Sequence, residues 1–347
     1  MFAQVAACYD NCVAAAAITE WTDVDEGWFQ AEIMPLGQPA VLRQAARHWP
    51  AVQAAQAGAL IDYMARFDQA GQVDLVQGDE TFEGQFFYNS ALDGLNFTRA
   101  RMPFGQALAL ICAEIDEGRR ASRSVQATHV ATALPGFDAA NTLAFAPYQP
   151  RLWIGGRVSI RTHIDYTENI ACVVAGRRRF LLFPPDQIAN LYVGPLDRTP
   201  SGSPVSMVDP NHPDLQRHPR FATALAHAQS AELEPGDAIY IPYMWWHHVD
   251  SLAPFNMLVN YWWNDAPTAG GAPLDALLFA MLNLRLAPER QRQAWRAAFD
   301  YFVFQTQGDP VAHLPPGREG VQGPPTKERV DYITLQILRK LVRKDTL

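Results

Sequence analysis

His163 and Asp165 stand two residues apart in the segment Ile160–Asn169, and an adjacent pair, His247 and His248, ends the aromatic run that begins at Tyr240. Two imidazoles and one carboxylate are the donor set of a facial Fe(II) site, which grips the metal on one side and leaves the opposite positions open to other ligands. Side chains alternate faces along a strand, so a His-x-Asp pair on a strand turns both groups to one side. Tyr240–Asp250 reads as a second strand, rich in aromatic and β-branched residues and preceded by the turn Glu234–Asp237. Only one of His247 and His248 can then face the pair. The chemistry on offer is oxygen activation at a non-heme iron. Taken singly, each motif has a plainer reading: an exposed His-x-Asp, and a strand with one buried and one solvated imidazole.

Such a triad needs strands to hold it. Short β-like runs dominate the middle of the chain, at Leu152–Ile154, Ile170–Val174, Arg179–Phe183, Ala238–Ile241 and Phe255–Trp262, separated by Gly, Pro and Asp turns. Many short strands without intervening helices predict a mainly β protein, a double-stranded β-helix or jelly roll. Helices should flank it at Ala51–Ala70, which stops at Gly71, and at Phe104–Glu117, which stops at Gly118. The stretch from Asp197 to His218, dense in Pro, Ser, Asp and His, reads as a long loop bordering the substrate cleft. Ala272–Phe304 reads as a helical pair broken at Leu286–Pro288, followed by a Pro- and Gly-rich linker from Gln307 to Pro325. Lys327–Lys344 reads as a last helix with Val330, Ile333, Ile337, Leu338 and Leu341 on one apolar stripe, which must pack on the same chain or on a partner.

Several segments together resemble the cupin-like JmjC group of 2-oxoglutarate oxygenases. They are Phe180–Asp186, Leu191–Tyr192, Pro235–Asp237, Tyr240–Pro242, Trp245–His248 with Ser251–Leu252, and Asn260–Trp262. The likeness is strong over 155–263 and diffuse over 39–150, where Pro39–Arg43 and His48–Pro50 look like the group's opening strand and turn. The resemblance implies a jelly-roll cupin core with flanking helices over 1–270, and a C-terminal helical region, 271–347, that joins two copies into a homodimer. It implies Fe(II) and 2-oxoglutarate as cofactors, with a hydroxylase acting on a peptide side chain or a small molecule.

Carried over residue by residue, the resemblance makes His163, Asp165 and His247 the metal ligands and turns His248 to the other face. Arg178, within the run Arg177–Arg179, stands where the group uses Lys to hold the far carboxylate of 2-oxoglutarate, and an Arg fork can pair bidentately with that carboxylate. By itself a run of three arginines would mean a solvated hairpin edge. Asn169 and Asn260 match amides lining the cosubstrate and metal pocket, and Trp262 matches an aromatic wall for which Tyr243, Trp245 and Trp246 are also available. The chain departs from the group where a Tyr and a Thr assist the cosubstrate carboxylate, because Ser124 and Ile160 stand there. Ile160 offers no hydrogen bond, which shifts the load to Arg178 and Gln126 or opens the site to something other than 2-oxoglutarate. The alternatives are a metal-dependent cupin enzyme without that cosubstrate, or a cupin that binds metal or a small molecule without turnover.

Composition sets outer limits. A chain of 347 residues, 48% hydrophobic, can bury a large core. A net charge of -8 with no basic stripe argues against a nucleic-acid partner. Cys8, Cys12, Cys112 and Cys172 lack paired zinc-ligand spacing and read as buried thiols of a reducing cytoplasm. The apolar stretch Phe2–Ile18 has no basic start and contains Asp10 and Asn11, so it reads as a first helix or ordered arm rather than a signal peptide. No run approaches the ~20 apolar residues of a membrane span.

Overall fold

The computed structural model describes residues 15–82, 84–119, 121–146, 148–265 and 271–342. Cys8, Cys12 and the expected helix or arm before residue 15 lie outside the described residues; the segment that follows is a strand. Two compact units divide the chain, one running to Asn264 and the other starting at Asp265.

The first unit is mainly β. Strands β1 (Ala16–Ala17), β2 (Thr19–Thr22), β3 (Ala40–Arg43), β4 (Gln72–Gly78), β5 (Phe97–Pro103), β6 (Arg123–His129) and β7 (Arg151–Gly155) precede the His-x-Asp segment. Strands β8 (Ser159–His163), β9 (Glu168–Ala175), β10 (Arg178–Phe183), β11 (Gln229–Leu233), β12 (Ala238–Ile241), β13 (Trp246–Ser251) and β14 (Asn256–Trp263) complete the set. They form a five-stranded sheet in the order β1-β11-β10-β13-β8 and a nine-stranded sheet in the order β2-β3-β12-β9-β14-β7-β6-β4-β5. Pairing is antiparallel except for β1 with β11 and β2 with β3.

Alternation along the strands sorts side chains into an inner layer and two outer ones. Val41, Ala171, Val173, Ile239 and Leu258 of the large sheet meet Phe180, Leu182, Leu233 and Val249 of the small one in a shared inner core. The odd-even partners Leu42, Cys172, Val259 and Tyr261 point outward, against helices α1 (Pro50–Gln56), α2 (Leu60–Ala65) and α3 (Phe104–Asp116). Leu181, Phe183 and Trp246 form the outer face of the small sheet and pack on Phe221 and Ala224 of α4 (Phe221–Ala226). Burying an aromatic or aliphatic side chain of this kind contributes about 1.5–3 kcal/mol.

Two elements differ from the sequence expectation. Ala51–Ala70 is not one helix: Gly58, at φ 71°, takes the left-handed conformation that ends α1 before α2 starts. Nor is Tyr240–Asp250 one strand. β12 and β13 belong to different sheets, and the turn between them passes through Met244 at φ 60° and closes with Trp245 N–H donating to the Pro242 carbonyl at 3.1 Å. Pro242 has no N–H to give to a sheet ladder.

The second unit contains α5 (Pro273–Leu284), α6 (Glu289–Phe302) and α7 (Lys327–Val342). The break between α5 and α6 falls at Leu286–Pro288, because the residue before a proline is pushed out of the helical region. Leu282, Leu286, Ile333, Ile337, Leu338 and Leu341 are exposed. Among the described residues no helix is long and apolar enough to cross a membrane.

Candidate functional site

Antiparallel pairing of β8 with β13 sets His163 directly opposite His247, with ring centres 4.2 Å apart. The next inward pair is Ile160 with Val249, so β8 has one residue more than β13 over this interval. That β-bulge turns Ile160 and His163 to the same face although they are three apart. Asp165 lies past the end of β8, so strand alternation does not place it. Its carbonyl accepts from Met244 N–H at 3.2 Å, and its Oδ2 lies 3.5 Å from His247 Nε2. Ligand atoms of His163, Asp165 and His247 all lie within 4.8 Å of one another.

Both imidazoles are oriented for coordination. His163 Nδ1 lies 2.8 Å from the Arg161 carbonyl, and His247 Nδ1 lies 3.0 Å from the Trp245 carbonyl. A carbonyl only accepts, so each Nδ1 carries the proton and each Nε2 keeps its lone pair. Burial, helped by the neighbouring His163, lowers the His247 pKa to about 4. The imidazole is therefore neutral at neutral pH, as a ligand must be. Two Nε2 lone pairs beside a carboxylate suit a divalent transition metal.

A relay of amides aims the carboxylate. Trp153 Nε1 donates to Asn260 Oδ1 at 2.8 Å, Asn260 Nδ2 to Asn169 Oδ1 at 3.1 Å, and Asn169 Nδ2 approaches Asp165 Oδ2 at 3.5 Å. Asn169 and Asn260 were legible as pocket amides. Trp153 was not, since only its inward position on β7 links it to the pair. Groups behind the ligands fix their orientation and tune their basicity.

The triad opens into a pocket walled by Ile160, Phe180, Val249 and Leu258, with Arg178, Asn169, Asn260 and Trp262 also on its lining. Arg178 shares the inward face of β10 with Phe180 and Leu182. It is 4% exposed, its Nε has no hydrogen-bond partner, and no described carboxylate pairs with it. Burial lowers its pKa to about 10, which leaves it charged at neutral pH. Ser124 does not line this pocket; its hydroxyl donates to the Ile154 carbonyl at 3.1 Å. Gln126 is on a neighbouring cleft that reaches His163 and Asp165. Of the aromatic residues expected in the wall only Trp262 is there. Trp245 and Trp246 are core residues, and Tyr243 does not line the pocket.

On the opposite face of β13 lies a polar network that sequence patterns did not reveal. His248 Nε2 is 3.0 Å from Asp250 Oδ1, Arg179 donates to Asp250 Oδ2 at 2.7 Å, and Ser159 donates to Asp250 Oδ1 at 2.8 Å. Asn211 joins through two 3.1 Å contacts to Asp250, and Arg161 pairs with Asp209 at 3.3 Å. Burial pushes the Asp250 carboxyl up, yet His248, Arg179 and Ser159 together outweigh it and hold the group well below the usual carboxylate range. The network ties the 197–218 segment to the backs of the strands that carry both histidines.

Residues 26–269 match the family model described as a cupin-like domain. The chain is 38% identical over 102 residues to a lysine-specific demethylase, JMJ31, of Arabidopsis thaliana, a stretch that covers 29% of this chain and 18% of that one. It is 37% identical over 113 residues to human HSPB1-associated protein 1, covering 32% and 22%. It is 31% identical over 146 residues to tRNA wybutosine-synthesizing protein 5 of Gallus gallus, covering 38% and 43%. The matched stretch is thus less than half the length of each of these relatives.

Proposed function

This chain belongs to the cupin-like domain family, and from that premise we propose that it is an Fe(II)- and 2-oxoglutarate-dependent oxygenase, a hydroxylase of a small molecule or peptide side chain. The observation that carries the reading is Arg178, a buried guanidinium without a carboxylate, in the same pocket as a two-imidazole, one-carboxylate donor set. Such a cation calls for an anion, and a diacid that also reaches the metal answers it. His163, Asp165 and His247 would hold the iron, which supplies activation of O2 coupled to oxidative decarboxylation of the cosubstrate to succinate and CO2. Arg178 holds the far carboxylate. Ile160, Phe180, Val249 and Leu258 keep water from the methylene portion, and the Trp153–Asn260–Asn169 relay keeps Asp165 turned toward the metal.

Succinate release from 2-oxoglutarate with Fe(II) and O2 tests the reading. Arg178→Met should raise the KM for 2-oxoglutarate ten- to a hundredfold, on the scale of ~1.5–3 kcal/mol for a charge-assisted bond. An unchanged KM would assign the carboxylate to another group. Ile160 and the engaged Ser124 hydroxyl favour a second reading, a metal-dependent cupin enzyme without this cosubstrate. No 2-oxoglutarate consumption by a metal-loaded protein would select it.

The relatives' names attach a lysine-specific demethylase and a tRNA wybutosine-synthesizing protein to similar sequence, so the shared stretch does not fix the substrate. The net charge of -8 argues against nucleic acid here. Assembly as a homodimer through α7, and residence in the cytoplasm, belong to the same proposal.

A further inference from the structure

Next to the Arg178 pocket, and sharing Trp153, His163, Asp165 and Trp262 with it, lies a cleft of about 360 Å³. Its floor is the inward face of the large sheet: Trp262 on β14, Arg151 on β7, Gln126 on β6 and Arg99 on β5. Ser201 and Ser203, from the segment expected to border a substrate cleft, form part of its rim.

Three buried polar atoms of this lining have no hydrogen-bond partner: Gln126 Nε2, Thr167 Oγ1 and Trp262 Nε1. Orphaned buried donors are costly, and a concentration of them in one cleft points to a ligand rich in acceptors. Charge agrees. Arg151 donates through Nη1 to the Ala127 carbonyl at 3.0 Å and lies over the Trp262 ring at 5.0 Å, and no described carboxylate pairs with it. Arg99 donates to the Pro200 carbonyl at 3.0 Å and likewise has no described carboxylate partner. Asp74, in the same cleft, is met by Arg101 at 3.6 Å. Two uncompensated guanidiniums stand here in a chain whose net charge is -8.

We propose that this cleft binds the substrate by a carboxylate held by Arg151, with Gln126 and the Trp262 indole N–H as further donors, so that the substrate of the oxygenase is a carboxylic acid. The inference rests on the oxygenase reading for the word substrate, but the binding itself does not. The Arg151 guanidinium lies over the indole ring and, beyond the Nη1 bond to Ala127, keeps N–H groups that can pair with a planar carboxylate. Asp165, also on the lining, repels a dianionic phosphate more than a monoanionic carboxylate.

The test is ligand-observed NMR on the full chain with no turnover, so a failure of the cosubstrate reading leaves it intact. The probes are free mono- and dicarboxylic acids and the blocked dipeptide-like N-acetylaspartate N-methylamide, each paired with its primary amide, and inorganic phosphate. An Arg178→Met background keeps acids out of the deeper pocket. At least one acid should bind tenfold or more tightly than its amide, and whether a free acid or the blocked aspartate binds best assigns the source. Arg151→Gln should bring acid and amide within twofold. If that variant does not fold, Arg151→Lys serves, and should cut the preference at least threefold by removing the fork. The proposal is overturned if no acid exceeds its amide, if the preference survives loss of the Arg151 fork, or if phosphate outbinds every acid.

Discussion

At His247 a single imidazole is buried in the protein and, in the proposed metal site, must still offer a lone pair. Metal content follows directly: His163→Ala, Asp165→Ala and His247→Ala should each lose the bound metal, because two remaining donors hold an open site poorly. His248→Ala should retain it, since that ring faces Asp250 on the other side of β13. Elemental analysis of the purified variants decides, and a reversal between the two histidines would overturn the facing described above. Burial also makes the metal-free protein sensitive to acid. The folded His247 pKa is about 4 and the unfolded value ~6.5, so between them the unfolded chain binds a proton that the folded chain refuses. Stability should therefore fall as pH drops from ~6.5 to ~4, by up to roughly 3 kcal/mol at ~1.4 kcal/mol per tenfold change in proton affinity. Urea midpoints at pH 7 and 5 should differ more for the metal-free wild type than for His247→Gln; equal differences would refute the account. The residue types of the triad were legible because two imidazoles and a carboxylate are a recognisable donor set. The placement of Asp165 was not, because it rests on a turn and on Asn169, and neither leaves a periodic signature.

Among the elements, β8 and β13 carry most of the site, and the bulge in β8 decides what enters it. Without the extra residue Ile160 would face the Asp250 network and a polar neighbour would face the triad pocket. A bulge adds no recognisable residue type, so Ile160 could be read only as a missing hydrogen bond, not as an apolar wall. The same limit hid Asp209 and Asn211, which reach Arg161 and Asp250 from far along the chain. By contrast β9, β10 and β14 showed plainly as apolar runs between turns, whereas β4, β5 and β6 carry too many charges and small polar residues to stand out. Asp250→Ala removes the acceptor shared by Arg179, Asn211, Ser159 and His248. It should destabilise the protein by about 3 kcal/mol, as breaking a buried ion pair does. Chemical denaturation measures it, and a loss below ~1 kcal/mol would mean that the network is not what fastens the 197–218 segment to the strands.

For the whole molecule, the exposed stripe on α7 is the main unanswered surface. Ile333, Ile337, Leu338 and Leu341 are each 39–51% exposed. Large contiguous apolar surface seldom stays in water, so the proposed homodimer should sediment at the mass of two chains. Ile337→Glu with Leu341→Glu should give monomer or insoluble protein, and a wild-type mass of one chain at micromolar concentration would remove the dimer. The two sheets of the first unit also divide the work. His163 and His247 stand on the small sheet, with Asp165 just beyond β8, whereas Arg151, Gln126 and Trp262 stand on the large one. On the proposed assignment, mutation on the large sheet rewrites what is recognised without touching the histidines on the small one. If the proposed function holds, a lineage built on this plan is free to exchange one substrate for the next while the triad is inherited unchanged.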